Sequence, residues 1–172
     1  MRFLRLALLG LLVFAFDYVS KALAAFFIQP IQYCPSSFPF WGIAIFHNFL
    51  GIDFCINHVS NHGAAWGIFS SMQEWLLVFR IAVIAGLFIY MVRSHAAKAY
   101  LFPLTLIVAG AVGNVVDYFI YGHVVDMFHF IFWGYDYPVF NVADTAIFLG
   151  MVWILIASYT KEKHERKIAP ES

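Results

Sequence analysis

Long apolar runs alternate with short polar links along this chain, and their spacing predicts helices that cross a membrane. The runs are Leu6–Phe27, Trp75–Val92, roughly Tyr100–Tyr121 and Val142–Tyr159. Each is close to the ~20 residues needed to span the hydrocarbon core. The first run follows Arg2 and Arg5, as a secretory leader would. It is, however, longer than the ~7–15 apolar residues of a leader core. It also contains Asp17 and Lys21 and has no evident Ala-x-Ala exit, so it reads as a retained helix. Pro103 falls in the first turn of the third run, where a missing amide hydrogen costs little.

The stretch between the first two runs has a different period. Pro30, Pro35 and Pro39 interrupt any helix. Ile52, Phe54 and Ile56 then alternate with Asp53, Cys55 and Asn57, which is strand periodicity. Ile43 and Ile45 repeat it more weakly, with Asn48–Gly51 as the turn of a small hairpin. The fold class expected is an α-helical integral membrane protein, with four transmembrane helices and a small β-sheet between helices 1 and 2. Residues 28–74 would form that small extramembrane sheet, 122–142 a second outer loop, and 160–172 a charged, frayed tail.

Composition agrees with this reading and adds an orientation. The 172 residues are 63% hydrophobic and 12% charged, too few polar groups to cover a soluble surface, and the length suits one domain. The formal charge is zero, so no basic field argues for nucleic acid. Arg2, Arg5, Arg93, Lys98, Lys161, Lys163, Arg166 and Lys167 all fall in the N-terminus, the second link and the tail. The links 28–74 and 122–141 hold no Lys or Arg. Positive residues stay inside, which puts both termini in the cytoplasm and those two links outside. Trp41, Trp66, Trp75, Trp133, Tyr135 and Tyr137 then lie at or beyond the outer interface. Cys34 and Cys55 are too few for a disulfide framework; they could pair in an oxidising compartment or serve as small apolar fillers.

Helical rise converts spacing into depth. Asp144 lies ~26 Å from Lys161, Asn114 and Asp117 lie ~24 and ~28 Å from Lys98, and Asp17 and Lys21 lie ~22 and ~28 Å from Arg2. Asp126, Asn61 and Asn141 sit in the outer links close to the same level. Polar groups thus gather in one layer at the outer leaflet, where ionisable residues are functional candidates. Asp17 and Lys21 are four apart on one face and can pair, with a structural ion pair as the plain alternative. Asn114 and Asp117 share a face and could equally be interhelical glue. Asp126 and Asp144 have no basic neighbour in sequence.

Two close carboxylates cannot both ionise cheaply, so such a pair keeps one proton near neutral pH. One member can take a proton from water while the other donates to a carbonyl oxygen, which is aspartic peptidase chemistry without metal or cofactor. Competing readings are weaker. His58 and His62 are four apart, and His123 and His129 flank Asp126, but the Glu of a metalloprotease helix motif is missing. There is no Gly-x-Ser-x-Gly elbow. A proton-coupled carrier would line a path across the membrane, whereas these acids gather at one side. A purely structural scaffold is the remaining class.

The motifs resemble those of bacterial lipoprotein signal peptidase, the type II signal peptidase. They are Asp17-x-x-x-Lys21, Asn61-x-Gly63-Ala64-Ala65, Gly113-Asn114-x-x-Asp117, Gly122-x-Val124-Val125-Asp126 and Phe140-Asn141-x-Ala143-Asp144, in order and covering nearly the whole chain. The resemblance implies an aspartic endopeptidase of the cell inner membrane. It would cleave diacylglyceryl-modified prolipoproteins just before the lipidated cysteine. It implies Asp126 and Asp144 as the catalytic pair, and Asn61, Gly63, Asn114, Asp117, Asn141, Asp17 and Lys21 as supporting or substrate-binding residues. No cofactor or metal is implied; membrane lipids and globomycin-like cyclic peptides are implied as binding partners. The chain departs from the family pattern at Tyr118, where Arg is usual, and more mildly at Trp66 and Met127, where Phe is usual. Arg80, inside the second apolar run, is a candidate for the absent charge; snorkelling to the outer surface is the alternative.

Overall fold

A computed structural model of the chain describes residues 2–31, 37–62 and 73–168. Its elements are α1 (Arg2–Phe27), β1 (Ile43–Phe49), β2 (Ile52–Asn61), α2 (Gln73–Arg93), α3 (Leu101–Tyr121), β3 (Val124–Phe132), β4 (Tyr135–Asp136) and α4 (Val142–Ile168), with a 3-10 turn at Ala96–Ala99. The four α-helices are long and apolar enough to cross a membrane. Their burial is inverted relative to a soluble bundle. Leu12, Phe16, Phe79 and Leu155 are exposed, as suits side chains whose solvent is lipid. The buried face of α1 instead carries Asp17, Lys21 and Ala24, continued by Ile28 just past its end, three or four residues apart.

α3 is the central helix and packs on α1, α2 and α4. Close approach depends on its glycines. A Cβ on Gly110 would collide with the Ala143 carbonyl oxygen, and one on Gly113 would lie 2.5 Å from Asp17 Oδ2. Small residues at such crossings let backbones and polar side chains meet where lipid supplies no hydrophobic drive.

The sheet is antiparallel in the order β1-β2-β3-β4. The anticipated hairpin is present, with Ile43 opposite Ile56 and Phe49 opposite Ile52. The link 122–142, read from sequence as a loop, supplies the other half of the sheet. β3 pairs along β2 from Ile52↔Phe132 to Asn61↔Val124, with an irregularity between Ile56 and Val59. This run of β-branched and aromatic residues favours a strand once β2 offers an edge to pair with. The tail also differs from expectation: α4 continues to Ile168 instead of fraying after Lys161. Cys55 is a buried free thiol. Cys34, Gly63, Ala64, Ala65 and Trp66 lie outside the described residues.

α1 and α3 end, and α2 and α4 begin, at the end of the bundle that carries the sheet. The strand bearing Asp126 therefore lies directly over the helix termini that bear the other polar residues.

Candidate active site

Four aspartates, one lysine and three asparagines meet at this end of the bundle, and each connection is a short polar contact. Lys21, fully buried, sits 2.7 Å from Asp17 Oδ2 and 2.8 Å from Asp117 Oδ2. Its third proton goes to Asn114 Oδ1 at 2.8 Å. An ammonium has three donors and no acceptor, so this contact fixes which way the Asn114 amide points. The Asn114 NH2 group is thereby turned to Asp144 Oδ1, 2.8 Å away.

Asn141 performs the matching task for Asp126. It is the N-cap of α4: its Oδ1 accepts the Asp144 backbone N–H at 2.8 Å. With the oxygen so used, its NH2 group donates to Asp126 Oδ1 at 2.6 Å, and also reaches Asn114 Oδ1 and the Val125 carbonyl. Asn61, at the end of β2, donates to Asp126 Oδ2 at 2.9 Å. Both oxygens of Asp126 thus accept from amides. The two outer members of the Lys21 cluster also hold backbone. Asp17 Oδ1 accepts the Ala143 N–H at 2.7 Å, and Asp117 Oδ2 accepts the Val125 N–H at 3.2 Å. Asp17 therefore satisfies a second unpaired amide at the start of α4, while Asp117 ties the start of β3 to α3.

Asp126 and Asp144 face one open cavity of about 660 Å³, also lined by Asn61, Arg80, Thr145 and the segment Tyr137–Phe140. Burial, reinforced by the neighbouring Asp144 carboxylate, pushes the Asp126 carboxyl up to about 7. The bonds from Asn61 and Asn141 and the charge of Lys21 pull the other way. At neutral pH this carboxyl exchanges its proton, a state suited to acid–base work.

The cavity wall at 137–140 is laid against β3 by backbone bonds, Tyr137 N–H to Phe130 O at 3.0 Å and Phe128 N–H to Phe140 O at 2.8 Å. Phe130 stacks between Phe54 and Phe140. Behind it, Asn57 donates to His129 Nδ1 at 2.7 Å, so Nε2 carries the hydrogen and donates to Asp136 Oδ1 at 2.7 Å. Sequence reading did not find this Asn57–His129–Asp136 tie or the 137–140 wall. The alternation of Asn57 and His129 with apolar neighbours on paired strands was the available signal.

The remaining candidates fall apart in space. His58, His62 and His123 cluster beside the site, with ring centroids 5.1 Å apart for His62 and His123 and 6.4 Å for His58 and His123. Burial, with His62 and His58 nearby, pushes the His123 imidazole below its usual value. His129 belongs to the sheet network described above. Among the described residues, no three His, Cys, Asp or Glu side chains are arranged to share a metal ion. Burial pushes the Cys55 thiol up to about 11, which leaves it protonated and unreactive.

Comparison with known proteins gives the chain a family. A family model described as signal peptidase (SPase) II matches residues 9–160. A lipoprotein signal peptidase of Chlamydia pneumoniae is 37% identical over 123 residues, covering 70% of this chain and 73% of that protein. Those of Bacillus pumilus and Staphylococcus aureus are 38% and 32% identical over 105 and 111 residues, covering 60% and 63% of this chain and 67% and 68% of theirs. Two solved structures, each titled as a bacterial membrane enzyme determined by the in meso method, are also similar. One has a TM-score of 0.75 and 26% identity, covering 98% of this chain and 93% of that one. The other has a TM-score of 0.70 and 28% identity, covering 89% and 91%.

Proposed function

Because this chain belongs to the signal peptidase II family of membrane-embedded aspartic peptidases, we propose that Asp126 and Asp144 are its catalytic pair. The substrate is a diacylglyceryl-modified prolipoprotein, cut just before the lipidated cysteine. The observation that carries this reading is the shared cavity: both carboxyls face it, each oriented by an asparagine that is itself locked.

Asp126, raised by burial and by the neighbouring Asp144 carboxylate, is the member that holds the proton. Asp144 then takes a proton from a water molecule whose oxygen attacks the scissile carbonyl carbon. Asp126 gives its proton to the carbonyl oxygen, forming a neutral tetrahedral diol. Collapse breaks the C–N bond, and the proton on Asp144 passes to the leaving cysteine nitrogen. Asp126 recovers its proton from the diol hydroxyl, and both carboxyls return to their starting state. The charge asymmetry of the links supports an active site on the outer face of the inner membrane. Globomycin-like cyclic peptides would compete for the same cavity, and the diacylglyceryl chains would lie among membrane lipids.

The test is cleavage of a synthetic lipidated prolipoprotein by purified protein in detergent. Asp126→Asn and Asp144→Asn should each lower turnover by on the order of 10³-fold while keeping wild-type helical content. Substantial turnover by either variant refutes the pair. Proton uptake into vesicles without cleavage favours the carrier reading.

A further inference from the structure

A groove of about 730 Å³, larger than the cavity at Asp126 and Asp144, lies at the opposite end of the bundle. α3 forms its floor from Leu101 to Val112, α1 one wall from Phe3 to Phe14, and α2 the other wall around Phe88 and Met91. Helical rise makes each of the first two stretches ~16 Å long, about half of the ~30 Å hydrocarbon core. Just beyond Val112, α1 and α3 close on each other, because Gly113 has no side chain to hold off Asp17. The groove is therefore about one leaflet deep and stops at the polar layer.

Its lining suits an apolar, flexible occupant. Among the described residues that line it, only Thr105 and Lys98 carry polar side chains. The Thr105 hydroxyl already donates to the Leu101 carbonyl at 2.7 Å. An extended peptide here would leave main-chain groups unpaired, and a spanning helix would run past the blind end. An acyl chain has nothing polar to satisfy and is one leaflet long. Lys98 marks the other end of the groove. It is exposed on the 3-10 turn before α3, and Arg93 ends α2 one residue past Val92, which also lines the groove. The charge asymmetry of the links supports this end as the cytoplasmic one. An ammonium has three donors, so Lys98 can meet a phosphate alongside its contact within the protein. Basic sites between spans on the cytoplasmic side favour anionic headgroups.

We propose that this groove is a lipid site, holding one acyl chain of an anionic phospholipid of the cytoplasmic leaflet with the phosphate beside Lys98. Lipid supplies no hydrophobic drive between helices, and an unfilled gap forfeits dispersion contacts on every wall. The seated chain supplies those contacts and packs α1 and α2 onto one side of α3. The site is separate from Asp126 and Asp144 and stands whether or not they cleave a prolipoprotein.

The experiment uses the full chain in mild detergent, stripped of lipid and titrated with phosphatidylglycerol or with phosphatidylcholine carrying the same chains. Native mass spectra should show saturable binding of a single phospholipid per chain, with phosphatidylglycerol preferred about fivefold. Lys98→Gln should bring the two lipids to equal affinity without abolishing binding. Ala7→Trp puts an indole into the groove from an exposed helix position. It should weaken binding of both lipids by about tenfold or more while helical content stays that of the wild type. If Ala7→Trp does not fold, Lys98→Gln still reads the preference. Unchanged binding in folded Ala7→Trp overturns the inference. So does a wild type that retains only detergent, or a preference for phosphatidylglycerol that Lys98→Gln leaves intact. A dimer that binds no lipid and that Ala7→Trp dissolves would put a second copy of the chain on the groove, and overturns it equally.

Discussion

Two pairs of aspartates lie within one polar layer and are treated in opposite ways. Asp17 and Asp117 share a single buried ammonium, Lys21, and spend a second oxygen contact each on backbone N–H groups of α4 and β3. Asp126 and Asp144 receive asparagine amides and face an open cavity. The first pair shares one compensating cation and anchors elements. The second is oriented by amides, and burial with the neighbouring Asp144 pushes the Asp126 carboxyl up to about 7. An ammonium partner stabilises a carboxylate as a charge, whereas an amide fixes its direction without removing its capacity to exchange a proton.

Removing Lys21 is the strongest way to break this contrast. Lys21→Met leaves two buried carboxylates uncompensated and should cost ~3–5 kcal/mol, measured as a collapse of thermal stability in detergent. The triple variant Asp17→Asn/Lys21→Met/Asp117→Asn should recover much of that stability, since it removes the charges together. A folded, fully stable Lys21→Met would mean the cluster does not anchor the fold.

The pH dependence of stability separates the pairs next. Folded Asp126 holds its proton up to about 7, against 3.8 for an unburied carboxyl. Between those values the folded state keeps a proton that the unfolded state has released. Stability therefore falls as pH rises through this window, by about 1.4 kcal/mol per pH unit, and the loss is complete above the folded value. Thermal melts from about pH 5 to about pH 8 should slope downward in wild type and flatten in Asp126→Asn. An identical slope in both would assign the effect to other groups.

Asn141 gives the finest discrimination, because it belongs to both α4 and Asp126. Asn141→Ala loses the cap and should cost about 1 kcal/mol of stability. Asn141→Ser restores a capping oxygen but not the amide donor to Asp126. Stability should return in the serine variant while cleavage stays low. Recovery of both together would show that the cap alone matters.

Much of this was legible in the chain. Helical spacing from Lys98 and Lys161 set Asn114, Asp117 and Asp144 at one depth, and the structure joins them through Lys21 and Asn114. The hairpin followed from the alternation at Ile52–Asn57, while its register, shifted between Ala44 and Phe46 and again between Phe46 and Phe49, did not. Less legible was the fate of 124–132: a β-rich run whose partner is more than sixty residues earlier looks like a loop until the helices bring β2 beside it. Asp126 accordingly sits on a strand, and the wall at Tyr137–Phe140 exists only because β3 is there to carry it.

Local chemistry is written in the sequence: apolar length fixes what crosses lipid, and each charge fixes the depth at which its helix can rest. The sequence by itself thus determined the four spans, the polar layer and the residue types that fill it. Which aspartate meets the lysine and which meets an amide depends on how α1, α3, α4 and β3 pack. The three helices close on Gly110 and Gly113, where there is no side chain to hold them apart. That choice was decided by tertiary structure, because neutralising a charge or merely orienting it is a matter of a few ångströms between residues far apart in the chain.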